Sequence, residues 1–200
     1  MKVKLNLIRH AKTDGNLEGR YVGKTDEGLA EEGVEQLKEF VAKGLYPEVQ
    51  SVFVSPMKRC KQTARIIYPK ANPQIIVGLE ETDFGIFEYK NYEELMHDSF
   101  YQEWIDSNGT LPIPGAENPG HMRIRLRRAF GKMMQACEEQ HIESAACIVH
   151  GGVIMEIMQA FGYPKKDYYD WQVKNCCGFA AEVEIEDGNF VIRFSNWIRP

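Results

Sequence analysis

The residues that could do chemistry stand where apolar runs stop. VKLNLI (residues 3–8) ends on Arg9-His10. SVFV (51–54) ends on Ser55-Pro56, with Arg59 one helical turn on, QIIV (74–77) leads to Glu80-Glu81, and AACIV (145–149) ends on His150-Gly151-Gly152. A guanidinium is a fixed cation whose fork matches phosphate oxygens. An imidazole attacks phosphorus only when neutral, and neighbouring arginines disfavour its protonated form. Glycine N–H groups opening a helix can hold anionic oxygens, and a carboxylic acid can protonate a departing alkoxide. Together these types describe a covalent phosphoryl-transfer centre with histidine as the nucleophile. The other histidines, His97, His121 and His141, lie in polar or helical stretches and read as solvated surface.

Elements of both periods are needed to bring these positions together. Strands are expected at Val3–Ile8, Ser51–Val54, Gln74–Val77 and Ala145–Val149, with a terminal hairpin from Ala180–Ile185 and Phe190–Phe194 around Glu186–Asn189. Helical periodicity covers Ala30–Ala42, Met122–Gln140 and Gly152–Phe161, and Ser55-Pro56 reads as N-cap and first residue of a helix reaching Tyr68. The expectation is a single α/β domain over residues 1–200: a mostly parallel, mixed sheet between two helical layers, closed by the antiparallel hairpin. Ligands in such folds sit beyond the carboxyl ends of the strands, where the candidate residues are.

A formal charge of −5 offers no footprint for nucleic acid or an anionic membrane, so an anionic substrate must be held by a few placed cations. No apolar run approaches the roughly 20 residues of a membrane helix, and the N-terminus shows no signal-peptide pattern. Five cysteines without a C-x-x-C spacing read as free thiols, and the expected location is the cytoplasm.

The stretch LIRHAKTDGNLEGRYVGKTDEGLAEEGVEQ resembles the signature of the histidine phosphatase superfamily, branch 1, the phosphoglycerate-mutase-like enzymes. VSPMKRCKQTA (54–64), LEETDFGIFEYK (79–90), PGAEN (114–118) and VHGGVIM (149–155) follow in the order of that family. The resemblance implies a three-layer α/β/α sandwich and an activity without metal or organic cofactor. It implies that His10 is the phosphorylated nucleophile, Glu81 the general acid and base, and His150 the second histidine. Arg9, Arg59, Asn16, Gly23 and Gly151 would contact the phosphate. Small phosphatases with the HGGVI pattern include α-ribazole-phosphate phosphatases and sugar-phosphate enzymes. The expected partner is accordingly a small phosphate ester, with neither nucleic acid nor membrane, and a homodimer is the assembly left open.

Three positions depart from the family pattern: Ala11 for a usual glycine, Phe87-Glu88-Tyr89 for aromatic-Glu-Gly, and Met155 for a basic residue. Other readings fit less well. Gly23-Lys24-Thr25 lacks the P-loop spacing after Gly19. A metal hydrolase on His10 and His150 would set two arginines against the metal. Phosphoglycerate-mutase-type transfer and a phosphate-binding module without catalysis are the alternatives to a phosphatase. The aromatic run at 84–104 is expected to form a small core rather than a substrate lid.

Overall fold

A computed structural model describes residues 1–186 and 189–200. The strands are β1 (Lys2–Arg9), β2 (Ser51–Val54), β3 (Gln74–Ile75), β4 (Ser144–Val149), β5 (Gly162–Tyr163), β6 (Gly178–Glu186) and β7 (Asn189–Ile198). The helices are α1 (Asp14–Leu17), α2 (Glu31–Ala42), α3 (Lys58–Ile67), α4 (Tyr92–Leu95), α5 (Ser99–Asp106), α6 (Pro119–Glu139) and α7 (Gly151–Phe161).

All seven strands join one sheet in the order β3-β2-β4-β1-β6-β7-β5. β1, β4, β2 and β3 run parallel, while β6 lies antiparallel to both β1 and β7. This is the mixed sheet with a closing antiparallel hairpin that the sequence predicts. Of the expected turn at Glu186–Asn189, Asp187 and Gly188 lie outside the described residues.

Alternation along β1 divides the core. Val3, Leu5 and Leu7 pack with Leu126, Phe130 and Met133 of α6 and Val153 and Ile157 of α7. Ile8, with Val52 and Val54 of β2, packs on the opposite face with Leu37 and Phe40 of α2 and Ala64 and Ile67 of α3. Successive strand side chains point to opposite faces, so one strand serves both helical layers.

Two helix starts differ from expectation by more than one residue. Ser55-Pro56 does not open a helix; α3 begins at Lys58 with Met57 as its cap, and the Ser55 hydroxyl is shared between His150 Nε2 at 2.9 Å and the Met57 N–H at 3.4 Å. α6 begins three residues before Met122, with Asn118 capping the N–H groups of Gly120 and His121 and Pro119 at the first helical position. β3 stops at Ile75 rather than Val77, which is 73 % exposed and precedes Gly78 at φ +99°. Tyr21, Phe84, Phe87, Phe100, Tyr101 and Trp104 close a separate small core beside the sheet, as expected of the 84–104 segment. No helix among the described residues is long and apolar enough to cross a membrane.

Candidate active site

Strand register brings the two histidines together. Arg9 pairs with Val149, so the following residues, His10 and His150, leave adjacent strands at one level. Ser55 leaves β2 beside them, its N–H on the Ile148 carbonyl at 3.1 Å. The imidazole rings stand edge to face with centroids 5.1 Å apart, and both residues are buried.

Hydrogen bonding distinguishes the two rings. His10 Nδ1 lies 2.7 Å from the carbonyl oxygen of Ala11. A carbonyl can only accept, so Nδ1 carries the proton and Nε2 keeps a lone pair with no partner among the described residues. His150 has neither nitrogen to spare. Its Nδ1 accepts from Arg59 Nε at 3.2 Å, which makes Nε2 the N–H that donates to Ser55 Oγ at 2.9 Å. Burial holds both imidazoles well below the ordinary value of 6.5. The charges of Arg59 and Arg9 add to this at His10, and the neighbouring His10 together with the same arginines adds to it at His150.

This has a consequence for stability. In the unfolded chain both imidazoles titrate near 6.5, so above that pH they are neutral in both states. Below it the unfolded chain binds protons that the fold refuses, and each histidine removes up to about 1.4 kcal/mol per pH unit. Glu81, whose carboxyl is raised, acts in the opposite sense as pH falls towards its unfolded value of 4.5. The urea midpoint is therefore expected to drop between about pH 7 and about pH 5.5, and less so in His10→Gln; a flat midpoint in the wild type would contradict buried neutral imidazoles.

The arginines play different parts. Arg9 packs its guanidinium over Gly151 and donates from Nη1 to the Val173 carbonyl at 2.9 Å, while its Nε is buried without a partner among the described residues. An orphaned buried donor there, next to the N-terminus of α7, suits an anion's oxygen. Arg59 is fully buried behind His150 and donates from Nη1 to Thr25 O at 2.7 Å and from Nη2 to Gly23 O at 2.8 Å.

Gly23 gives its N–H to Glu88 Oε1 at 3.0 Å and its carbonyl to Arg59, so both of its backbone polar groups are engaged by the protein. A Cβ there would meet the Thr82 carbonyl at 2.0 Å, which only glycine avoids. Glu88 also accepts from the Thr25 N–H and hydroxyl and from the Phe84 N–H, joining residues 22–25 to the small aromatic core.

The adjacent acids part company. Glu80 turns to the Gly78 N–H at 2.7 Å, whereas Glu81 accepts from the Gly152 N–H at 3.0 Å and the Thr82 N–H at 3.0 Å. Burial raises the Glu81 carboxyl above its ordinary value, against the pull of those two N–H groups, Arg59 and Arg9. A Cβ at Gly152 would come within 2.6 Å of Glu81 Oε1, so a side chain there would push the carboxyl aside. Arg125 clamps the same segment, donating to the carbonyls of Gly78 and Glu80 at 2.9 Å and pairing with Glu117 at 2.6 Å.

Ala11 fits without strain. It lies outside the left-handed region, its side chain joins the α2–α3 core, and its N–H donates to Thr63 Oγ1 at 3.0 Å. Two residues at this centre escape sequence reading: Ser55, which reads as a helix cap, and Asn175, whose Nδ2 reaches the His10 carbonyl at 3.0 Å. Among the described residues no group of three or more His, Cys, Asp or Glu side chains forms a metal-binding set.

Comparison with known proteins accords with this geometry. The chain is 27% identical over 187 residues to the adenosylcobalamin/alpha-ribazole phosphatase of Escherichia coli strain K12, covering 90% of each chain. It is 26% identical over 160 residues to phosphoserine phosphatase 1 of Hydrogenobacter thermophilus, 78% of this chain and 74% of that one. The crystal structure of the alpha-ribazole phosphatase from Shigella flexneri superposes with a TM-score of 0.74 at 25% identity, over 97% of this chain and 95% of that one. The family model for branch 1 of the histidine phosphatase superfamily matches residues 5–198, from β1 to the end of β7, and the chain belongs to that superfamily.

Proposed function

We propose that this phosphatase hydrolyses small phosphomonoesters through a phosphohistidine on His10, with Glu81 as general acid and then general base. The observation that carries the reading is the difference between the rings: His10 alone offers an unengaged nitrogen, and its Nδ1 proton is held away from the reaction by Ala11.

In the first step His10 Nε2 attacks phosphorus, the ester P–O bond breaks, and the Glu81 carboxyl proton passes to the leaving oxygen. The raised Glu81 carboxyl suits it to carry that proton. In the second step Glu81 takes a proton from water, the resulting nucleophile attacks phosphorus, and the N–P bond breaks to release phosphate. Arg9, Asn16 and the Gly151 N–H bind the phosphoryl oxygens. Arg59 supplies buried charge and fixes the His150 ring.

The substrate is a small phosphorylated metabolite with an uncharged leaving group, α-ribazole 5'-phosphate or a sugar phosphate. Two curated relatives bear phosphatase names, one of them for alpha-ribazole, and the cations on the loop after α1 are already paired. Arg20 is held by Glu94 at 2.9 Å and Lys24 by Asp83 at 2.8 Å, so a substrate carboxylate would have to displace an existing partner at either.

Initial rates over α-ribazole phosphate, sugar phosphates, phosphoserine and the phosphoglycerates test both parts. The uncharged leaving groups are expected to lead in kcat/KM by about tenfold or more. A lead by phosphoserine or a phosphoglycerate would overturn the substrate class, and transfer between phosphoglycerates without phosphate release would favour a mutase.

A further inference from the structure

The loop after the nucleophile holds Asn16 in an orientation that its own segment only half secures. Asn16 closes a capping box on α1: its N–H donates to Thr13 Oγ1 at 3.2 Å, and its Oδ1 accepts from the Thr13 N–H at 3.3 Å. The second bond is long for an N–H···O contact, and it is one of two that aim the amide. The other comes from Asn175, some 159 residues along the chain, whose Nδ2 donates to Asn16 Oδ1 at 3.1 Å and to the His10 carbonyl at 3.0 Å.

Backbone partners fix which atom is which in both amides. The atom facing the Thr13 N–H must be the Asn16 oxygen, and the atom facing the His10 carbonyl must be the Asn175 nitrogen. Asn16 Nδ2, with no acceptor among the described residues, is left as a free donor. Asn175 is itself held firmly. Cys176 beside it adopts φ +63° and gives its N–H to the carbonyls of Arg9 and His10, while Val173 accepts from Arg9. Residues 173–176 thus clasp the exit of β1 from the side opposite β4.

We propose that Asn175 is a positioning residue that sets the Asn16 amide with its nitrogen toward the transferred phosphate. The inference rests on the proposed reading of Asn16 as a phosphate ligand. With Asn175 in place the Asn16 oxygen is occupied, and only N–H groups can face an anion. Without it only the long bond from the Thr13 N–H holds the Asn16 oxygen, and the flipped amide, which presents an oxygen to phosphate, becomes accessible.

The test measures inorganic phosphate binding by calorimetry, with KM and kcat alongside, in Asn175→Ala and Asn175→Asp, each in the wild-type and the Asn16→Ala background. Asn175→Ala is expected to weaken phosphate binding and raise KM roughly tenfold, with a smaller change in kcat. Asn175→Asp is expected to be worse, because a carboxylate there accepts from Asn16 Nδ2 and turns the Asn16 oxygen toward the ligand. In the Asn16→Ala background the two variants are expected to be equal and to add little to the loss from Asn16→Ala itself.

A penalty from aspartate that persists without Asn16 is plain charge repulsion and overturns the proposal, as do additive losses. A fall in thermal midpoint with unchanged phosphate affinity assigns Asn175 to fold stability alone and also overturns it; should Asn175→Ala fail to fold, the isosteric Asn175→Asp comparison decides. Wild-type protein that binds phosphate and turns over esters while every Asn175 variant matches it refutes this inference only. Wild-type protein that binds no phosphate refutes the site reading beneath it as well.

Discussion

His10→Ala is expected to abolish ester hydrolysis and the phosphoenzyme together, with kcat falling by roughly 10⁴-fold or more. The size of the effect follows from what the pocket offers instead. His150 cannot stand in as nucleophile, since Arg59 and Ser55 engage both of its nitrogens. Cys60, whose sulfur lies 3.5 Å from His150 Nε2, is fully buried, and burial raises its thiol well above the ordinary range, so it holds no thiolate. Water attacking directly would need a base, and in the proposed first step Glu81 serves as the acid instead. Phosphate affinity is expected to survive, because Arg9 and the start of α7 are untouched. The measurement is turnover beside quenching in alkaline denaturant, which should trap an acid-labile, base-stable phosphoprotein in the wild type only. Substantial residual turnover in His10→Ala would sink the covalent mechanism.

The second large effect is selective. Glu81→Gln keeps the shape of the side chain and the acceptor for the Gly152 N–H, but cannot deliver a proton. Esters with alkoxide leaving groups are expected to slow by about 10²- to 10⁴-fold, whereas nitrophenyl phosphate, whose leaving group departs unprotonated, should slow far less in its first step. Equal losses on both substrates would mean that Glu81 shapes the pocket instead of moving a proton. Rapid-quench kinetics separate formation of the phosphoenzyme from its hydrolysis, the step in which glutamine should also fail as a base.

Much of the architecture is legible in the sequence because β-branched runs of four to six residues alternate with amphipathic helices, and because the strand-exit rule is geometric. Arg9-His10 and His150-Gly151 are far apart in the chain, yet parallel pairing of two apolar runs suffices to bring them to one end of the sheet. Adjacent Glu80 and Glu81 diverge, as neighbours in an extended segment must.

What was not legible depends on side chains meeting across the fold. Ser55-Pro56 and Asn118-Pro119 carry the same local signal, a capping side chain before proline. Only the second opens a helix: at the first the hydroxyl is shared between a histidine 95 residues away and the Met57 N–H, and the helix begins at Lys58. Asn175 lies in an undistinguished stretch, and no periodicity or spacing links it to Asn16. Gly23 resembles a ligand-binding glycine in sequence, yet its glycine character answers to the close approach of Thr82.

Ala11 carries a last consequence. Its methyl group is anchored among Ile8, Leu37 and Ala64, and its carbonyl receives the His10 Nδ1 proton. The tautomer of His10, the proposed nucleophile, is thereby held by a peptide group packed against the hydrophobic interior and not by the loop that leads away from it. Reactivity and packing share one hinge atom at this position, so changes of volume in the α2–α3 layer reach the reacting nitrogen through a single peptide group. The α2–α3 core thus takes part in holding the buried His10 ring.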